Sequence, residues 1–196
     1  IPEDSRCEPQ TAATAMQKLA TVDDVIAVVG GLCSSETLAA APIAEENHII
    51  MVSPSSTNPD IANAGDYIFR IIVSDSFQGK VGAELARAKG YETAAVLYIN
   101  NDYGAGLNEV FTEEFLAAGG TVVYNDAFEQ SSTDFRTLLT KVEDKNPDVL
   151  YLVGLPVECG ILFKQKAELG LDIAVVAAEG CKDDSVLELA GSGAEG

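Results

Sequence analysis

Ala94-Ala95-Val96-Leu97-Tyr98-Ile99, then Asn100-Asn101-Asp102-Tyr103-Gly104, then a stretch carrying Leu107, Val110, Phe111, Phe115 and Ala118, then Gly119-Gly120 and Thr121–Phe128: residues 94–128 spell out one strand–helix–strand unit. The run Ala94–Ile99 is apolar without in/out alternation, which predicts a strand buried on both faces. The spacing i, i+3, i+4, i+8, i+11 from Leu107 places its apolar residues on one helix face. Gly119-Gly120 supplies the left-handed position that ends such a helix. The same grammar extends outward in both directions. Further runs of strand length lie at Val25–Gly30, Ile49–Ser53, Tyr67–Val73, Val149–Gly154 and Ile173–Ala178. Helical faces are spelled by Phe77, Val81, Leu85 and Ala88, and by Phe135, Leu138, Leu139 and Val142, with a further helical stretch at Pro9–Leu19 and stops at Gly90 and Gly170. A β-α-β-α alternation of this kind predicts an α/β fold of doubly wound parallel sheets.

The chain has 196 residues, 47% hydrophobic and 22% charged, enough for one large domain or two small lobes. Twelve basic against 31 acidic residues leave a net charge of −19. Such a surface repels phosphate backbones and anionic lipid, which argues against nucleic acid or a membrane surface as partner. No apolar run approaches the roughly 20 residues of a bilayer span, so no membrane insertion is expected. His48 is the single histidine, so a multi-His metal site is excluded and none is expected. Beside the apolar run that follows it, His48 reads as a structural residue at a helix–strand junction. The sequence opens at Ile1 without a signal-peptide core and closes on Gly191-Ser192-Gly193-Ala194-Glu195-Gly196, which suggests a piece of a longer chain.

In doubly wound sheets, ligands bind beyond the carboxyl ends of the strands. The segments there are Gly31-Leu32-Cys33-Ser34-Ser35-Glu36, Pro54-Ser55-Ser56-Thr57-Asn58-Pro59, Asn100–Gly104, Leu155–Cys159 and Glu179-Gly180-Cys181. The first two are dense in hydroxyls and uncharged until the helix begins, a cradle suited to a carboxylate. Glu179 is the one acid that immediately follows a strand run, and it suits an ammonium. Each feature has an ordinary alternative. Ser34 or Ser35 can cap a helix, Ser55–Pro59 can be a turn cluster, Tyr103 can be a core-edge aromatic, and Glu179 can be a solvated loop residue.

The nearest approach to a cofactor signature is Gly104-x-Gly106-x-x-Glu109, with Asp126 about 20 residues downstream. Glu109 stands where a third glycine belongs, four residues separate Ile99 from Gly104, and Asp102 would face a pyrophosphate. No Walker A sequence, GxSxG elbow or HExxH is present. The residues therefore point to no catalytic centre and no cofactor. The four cysteines fall into two groups, Cys7 with Cys33 and Cys159 with Cys181, none spaced as CxxC. Their places along the strand order allow each group to meet at disulfide distance in an oxidising compartment, while buried free thiols remain the alternative.

Together these residues resemble the type I periplasmic binding proteins, specifically the leucine/isoleucine/valine-binding branch that serves ABC importers. The likeness is carried by Cys7-x-Pro9-Gln10, Val28-x-Gly30-Gly31-x-Cys33-Ser34-Ser35, Ser53-Pro54-x-x-Thr57-Asn58-Pro59, Phe69-Arg70-Ile71, Asp75-Ser76-Phe77-Gln78-Gly79, Asp102-Tyr103-Gly104-x-Gly106-Leu107, Asp134-Phe135, Asp148–Gly154 and Glu179-Gly180. The resemblance implies a two-lobed receptor with residues 1–74 as part of lobe one and 75–196 as most of lobe two. On that pattern the β-α-β segment before Ile1 and a C-terminal return to lobe one are lacking. An incomplete first lobe is expected to expose apolar sheet faces.

By position, the resemblance assigns Ser34 and Thr57 to the α-carboxylate of an amino acid and the Ser55 carbonyl to its ammonium. Glu179 neutralises the ammonium from the other lobe, and Tyr103 closes over the ligand. It implies a Cys7–Cys33 bridge, and we read Cys159–Cys181 as an extra bridge outside the common pattern. At Leu155 the branched-chain binders typically carry an aromatic that lines the pocket, so Leu155 gives this chain a differently shaped side-chain compartment. The implied function is non-enzymatic: capture of an amino acid in the periplasm, or outside a one-membrane cell on a lipid anchor, and delivery to an ABC permease. The alternatives are a sensor ectodomain of the same fold and, further off, an NAD-dependent Rossmann-type dehydrogenase using the Gly104 loop.

Overall fold

A computed structural model describes residues 1–195, and each of the seven apolar runs contains a strand. The described residues divide into two compact units, Ile1–Ser76 and the chain from Phe77 onward.

The first unit comprises α1 (Pro9–Thr21), β1 (Ala27–Val29), α2 (Ser34–Glu46), β2 (Ile50–Ser53), a 3-10 turn (Pro59–Asn63) and β3 (Ile68–Arg70). Its strands are parallel in the order β1-β2-β3. Val28, Met51 and Ile68 lie in one row of the register, and with Met16, Ala40, Ala41, Ala44, Ile49 and Ile61 they form the apolar core. The next row, Val29, Val52 and Phe69, faces the other way, and there Val29 is 84% and Phe69 50% exposed. Because successive strand residues point to opposite faces, a sheet covered on one side buries only every second residue. The expectation that these runs are buried on both faces is therefore corrected for this sheet, whereas the expected exposure of an apolar sheet face is met.

The second unit carries α3 (Asp75–Ala88) from its third residue onward, β4 (Thr93–Ile99), α4 (Asp102–Ala117), β5 (Thr121–Phe128), α5 (Arg136–Asp144), β6 (Val149–Val153), α6 (Pro156–Glu168), β7 (Ala174–Ala177), a 3-10 turn (Glu179–Cys181) and α7 (Asp184–Ala190). Its parallel strands run in the order β5-β4-β6-β7. Here every residue of β6 is buried, and Ala94–Leu97 and Ile99 of β4 are buried too, so two-sided coverage holds. Leu107, Phe111 and Phe115 of α4 pack inward as their spacing predicts, and Phe111 stacks on Tyr151 with ring centres 3.7 Å apart. Gly90, Gly119 and Gly170 end their helices in the left-handed conformation that glycine adopts without strain.

α3 overturns its pattern. Phe77, Val81 and Leu85, the expected core face, are 65%, 42% and 45% exposed. The buried face is instead Gly79, Gly82, Ala83 and Ala86. A Cβ at Gly79 would lie 2.7 Å from Val110 and one at Gly82 2.9 Å from Tyr151, so only small residues allow this helix to approach α4 and β6. Close helix packing outweighs hydrophobic periodicity there.

The strand order of the second sheet contains one reversal. From β4 the chain goes to β5 on one side, then crosses to β6 on the other, so the order reverses between β4 and β6, where doubly wound sheets hold their ligands.

Candidate functional site

In the first unit the loops after β1 and β2 are knitted together by hydroxyls. Ser53 Oγ donates to the Gly31 carbonyl (2.7 Å) and accepts the Ser56 N–H (2.9 Å). Ser56 Oγ is also 2.7 Å from Thr37 Oγ1. Ser34 Oγ accepts the Asn58 N–H at 3.2 Å, which brings Ser34 against the Thr57-Asn58 segment. Arg70 donates to the carbonyls of Thr57 (2.8 Å) and Asn58 (2.7 Å), and the Asp75 N–H to that of Thr57 (2.9 Å). Thr57's carbonyl is thereby turned inward. Ser34 and Thr57 are buried and Ser55 is exposed, so the three expected ligand residues sit on two adjoining loops of one unit.

One detail departs from the sequence reading. The residue capping α2 is Cys33 rather than Ser34 or Ser35, and Glu36 completes the capping box by accepting the Cys33 N–H at 2.9 Å. The Ser34 hydroxyl is thus used between loops, not as a cap. The first charge comes where the helix begins, as the sequence suggests. Glu36 is 3% exposed, and its other oxygen accepts the Cys7 N–H at 2.9 Å and the Ser5 hydroxyl. Cys7 and Cys33 form a disulfide, with Cα atoms 5.4 Å apart, so Glu36 binds the backbone of both its halves. The two sulfurs and this carboxylate lie close together, but the sulfurs bond each other and offer no thiolate to a metal. Neither Glu36 nor Arg70 was singled out from the sequence as a loop fastener. The Glu three residues after a cap position was the available signal for Glu36.

In the second unit Tyr103 follows β4, Leu155 follows β6 and Glu179 follows β7, three neighbouring parallel strands, so all three residues gather at one end of the sheet. Tyr103 is buried in the first turn of α4, Leu155 is half-buried at the N-cap of α6, and Glu179 is exposed. Asn101 caps α4 by accepting the Gly104 N–H at 3.0 Å. Gly104 lies inside the helix, where a Cβ would strike the Ile99 carbonyl. Its glycine permits close helix–strand packing, and the Gly104-x-Gly106 sequence makes no phosphate-binding turn. Just past Glu179, Asp183 caps α7; the Ser185 hydroxyl and N–H hold its carboxyl below the usual carboxylate range. Cys159 and Cys181 form the second disulfide, Cα atoms 5.5 Å apart, joining the first turns of α6 to the Glu179 turn. His48 sits in the turn between α2 and β2, edge-on to Tyr67, at the helix–strand junction expected for it.

This chain belongs to the periplasmic binding protein family, whose model matches residues 1–196. A Pseudomonas aeruginosa relative, the leucine-, isoleucine-, valine-, threonine- and alanine-binding protein, is 32% identical over 195 residues, which are 98% of this chain and 52% of that protein. Among solved structures, a leucine-binding protein of Thermotoga maritima superposes with a TM-score of 0.92 at 32% identity, over 98% of this chain and 55% of its own. The branched-chain amino acid transporter substrate-binding protein of Streptococcus pneumoniae, crystallised with isoleucine, gives 0.84 at 28% identity, over 98% of this chain and 55% of its own. The chain therefore spans about half the length of the relatives it matches. These relatives are binding proteins.

Proposed function

We propose that this chain is part of an extracytoplasmic receptor that captures a branched-chain or similar small amino acid and delivers it to an ABC permease. Residues 1–74 supply part of lobe one, and residues 75–196 supply most of lobe two. The apolar row at Val29 and Phe69 supports this division, since a complete lobe covers such a face.

Chemically, a zwitterion requires donors for its carboxylate and a negative group for its ammonium. The Ser34 hydroxyl, the first amides of α2 and Thr57 provide the donors. The Ser55 carbonyl and the Glu179 carboxylate provide the negative end, Tyr103 covers the ligand, and Leu155 shapes the space for its side chain. No cofactor or metal enters this scheme. The observation that carries the reading is the hydrogen bond between Ser34 and Asn58, because it brings the two hydroxyl-rich loops into one cradle of the kind a carboxylate needs. A thermal-shift screen of the full chain against amino acids, small carboxylates and amides tests it, because a ligand of the native state raises the melting point. Leucine, isoleucine or valine is expected to give the largest shift; a screen in which only amides or non-amino carboxylates respond overturns the assignment. Co-purification with a permease rather than a signalling subunit is expected for the transport role.

A further inference from the structure

We propose that the Cys159–Cys181 bridge and Gln78 are positioning elements for Glu179, whose grip on a ligand ammonium depends on them; this rests on the role given to Glu179 above. Glu179 itself is exposed, so no packing of its own side chain locates it. Its backbone, by contrast, is fixed from several elements. The Glu179 N–H donates to Gln78 Oε1 on α3 at 3.0 Å. One residue earlier, the Ala178 N–H donates to the Leu152 carbonyl at 2.9 Å, extending the ladder of β6.

One residue later, Gly180 lies so close to the Gly154 carbonyl that a Cβ would strike it, and that Cβ would also be 2.8 Å from the Tyr103 hydroxyl. Gly154 in turn is confined: a Cβ there would lie 3.1 Å from Cys159 Sγ and 3.2 Å from Phe128. Finally Cys181, at the end of the same 3-10 turn, is bonded to Cys159, which is fully buried in α6. The turn that presents Glu179 is thus held at its first residue by Gln78, at its second by close packing against the Gly154 carbonyl and the Tyr103 side chain, and at its third by the disulfide. A charged side chain on a backbone fixed at three successive residues meets its ligand already oriented, and ordering it on binding costs less.

The test compares leucine affinity by calorimetry for the full chain and for Cys159→Ala/Cys181→Ala, with circular dichroism verifying that the variant is folded at the assay temperature. Loss of the pre-set turn is expected to weaken leucine about tenfold. In a Glu179→Gln background, removing the bridge is expected to change affinity less than about twofold, because residues acting through one group are non-additive. Gln78→Met keeps both disulfides and removes the acceptor oxygen; it is expected to weaken leucine several-fold with little change in melting temperature. It decides the matter alone should the bridgeless variant fail to fold. Wild-type affinity in the folded bridgeless variant and in Gln78→Met overturns the inference and leaves the amino-acid reading standing, as does an equal loss with and without Glu179. A wild-type chain that binds no amino acid overturns both.

Discussion

The two units build the ends of their parallel strands in opposite ways. In the first, the loop side chains turn inward: Ser34, Ser53 and Ser56 fasten one loop to the other, Arg70 and Asp75 gather the Thr57 carbonyl, and Glu36 is sealed behind the disulfide it braces. In the second, the backbone is fixed and the charged side chain, Glu179, stands exposed. Each arrangement suits the charge it is proposed to meet. A carboxylate is held well by preset N–H and O–H donors, whereas an ammonium, which only donates, is held best by an ionised carboxylate acceptor. The cores differ in parallel: β4 and β6 are buried on both sides, while β1 and β3 leave Val29 and Phe69 exposed.

The core contrast predicts the largest effect. Phe111→Ala, which removes a fully buried ring stacked on Tyr151, is expected to cost the second unit about 3–5 kcal/mol in chemical denaturation. Val29→Ser in the full chain is expected to cost about 1–2 kcal/mol, as for a side chain covered by further chain. A loss within about 0.5 kcal/mol instead marks Val29 as a surface residue and removes the incomplete-lobe explanation of the contrast.

At the site, Glu179→Ala is expected to leave the fold intact and weaken amino-acid affinity by roughly 2–5 kcal/mol, the penalty of a desolvated charge without its partner. Unchanged affinity takes Glu179 out of the site. On the opposite side of the comparison, Thr57→Val is expected to weaken zwitterions by about 1 kcal/mol while barely moving the melting temperature. A large loss of stability would return Thr57 to the category of turn residue.

The smallest effect concerns the scaffold of the second unit. Asp148 accepts the N–H groups of Thr93 and Glu92 and the Thr93 hydroxyl, at 2.8, 2.8 and 2.9 Å, and these donors hold its carboxyl below the ordinary value of 3.8. A depressed carboxyl stabilises the fold above its unfolded pKa and loses that contribution as pH falls through the folded one. Asp148→Ala is therefore expected to cost about 0.5–1 kcal/mol at neutral pH, discounted for the exposure of the site. The gap to wild type should close as the pH drops below 3.8 in urea titrations run at several pH values.

Much of the fold was legible because strand runs and glycine stops are local signals. Thr121–Phe128 has the bounds its sequence suggests, while Val25–Gly30 shrinks to Ala27–Val29 because only three residues find partners on β2. What was illegible depended on approach distance and on coverage. The buried face of α3 is made of glycine and alanine, which carry no hydrophobic signal, and whether both faces of the β1–β3 sheet are covered is not written in its strands. At the site, residue types named the candidates, and strand order explains why Ser34 meets the Thr57 loop and why Tyr103, Leu155 and Glu179 share one end. Glu36 and Gln78 escaped because each acts on backbone far away in sequence, Glu36 on Cys7 and Gln78 on Glu179.

Calorimetric titration of the full chain with three molecules of one shape, leucine, 4-methylpentanoate without the ammonium, and 3-methylbutylamine without the carboxylate, probes both charges at once. Tight binding of leucine, with either deletion costing about a hundredfold or more, is the predicted result. Equal affinity for leucine and 4-methylpentanoate would contradict the account, since the ammonium would then have no partner in the protein.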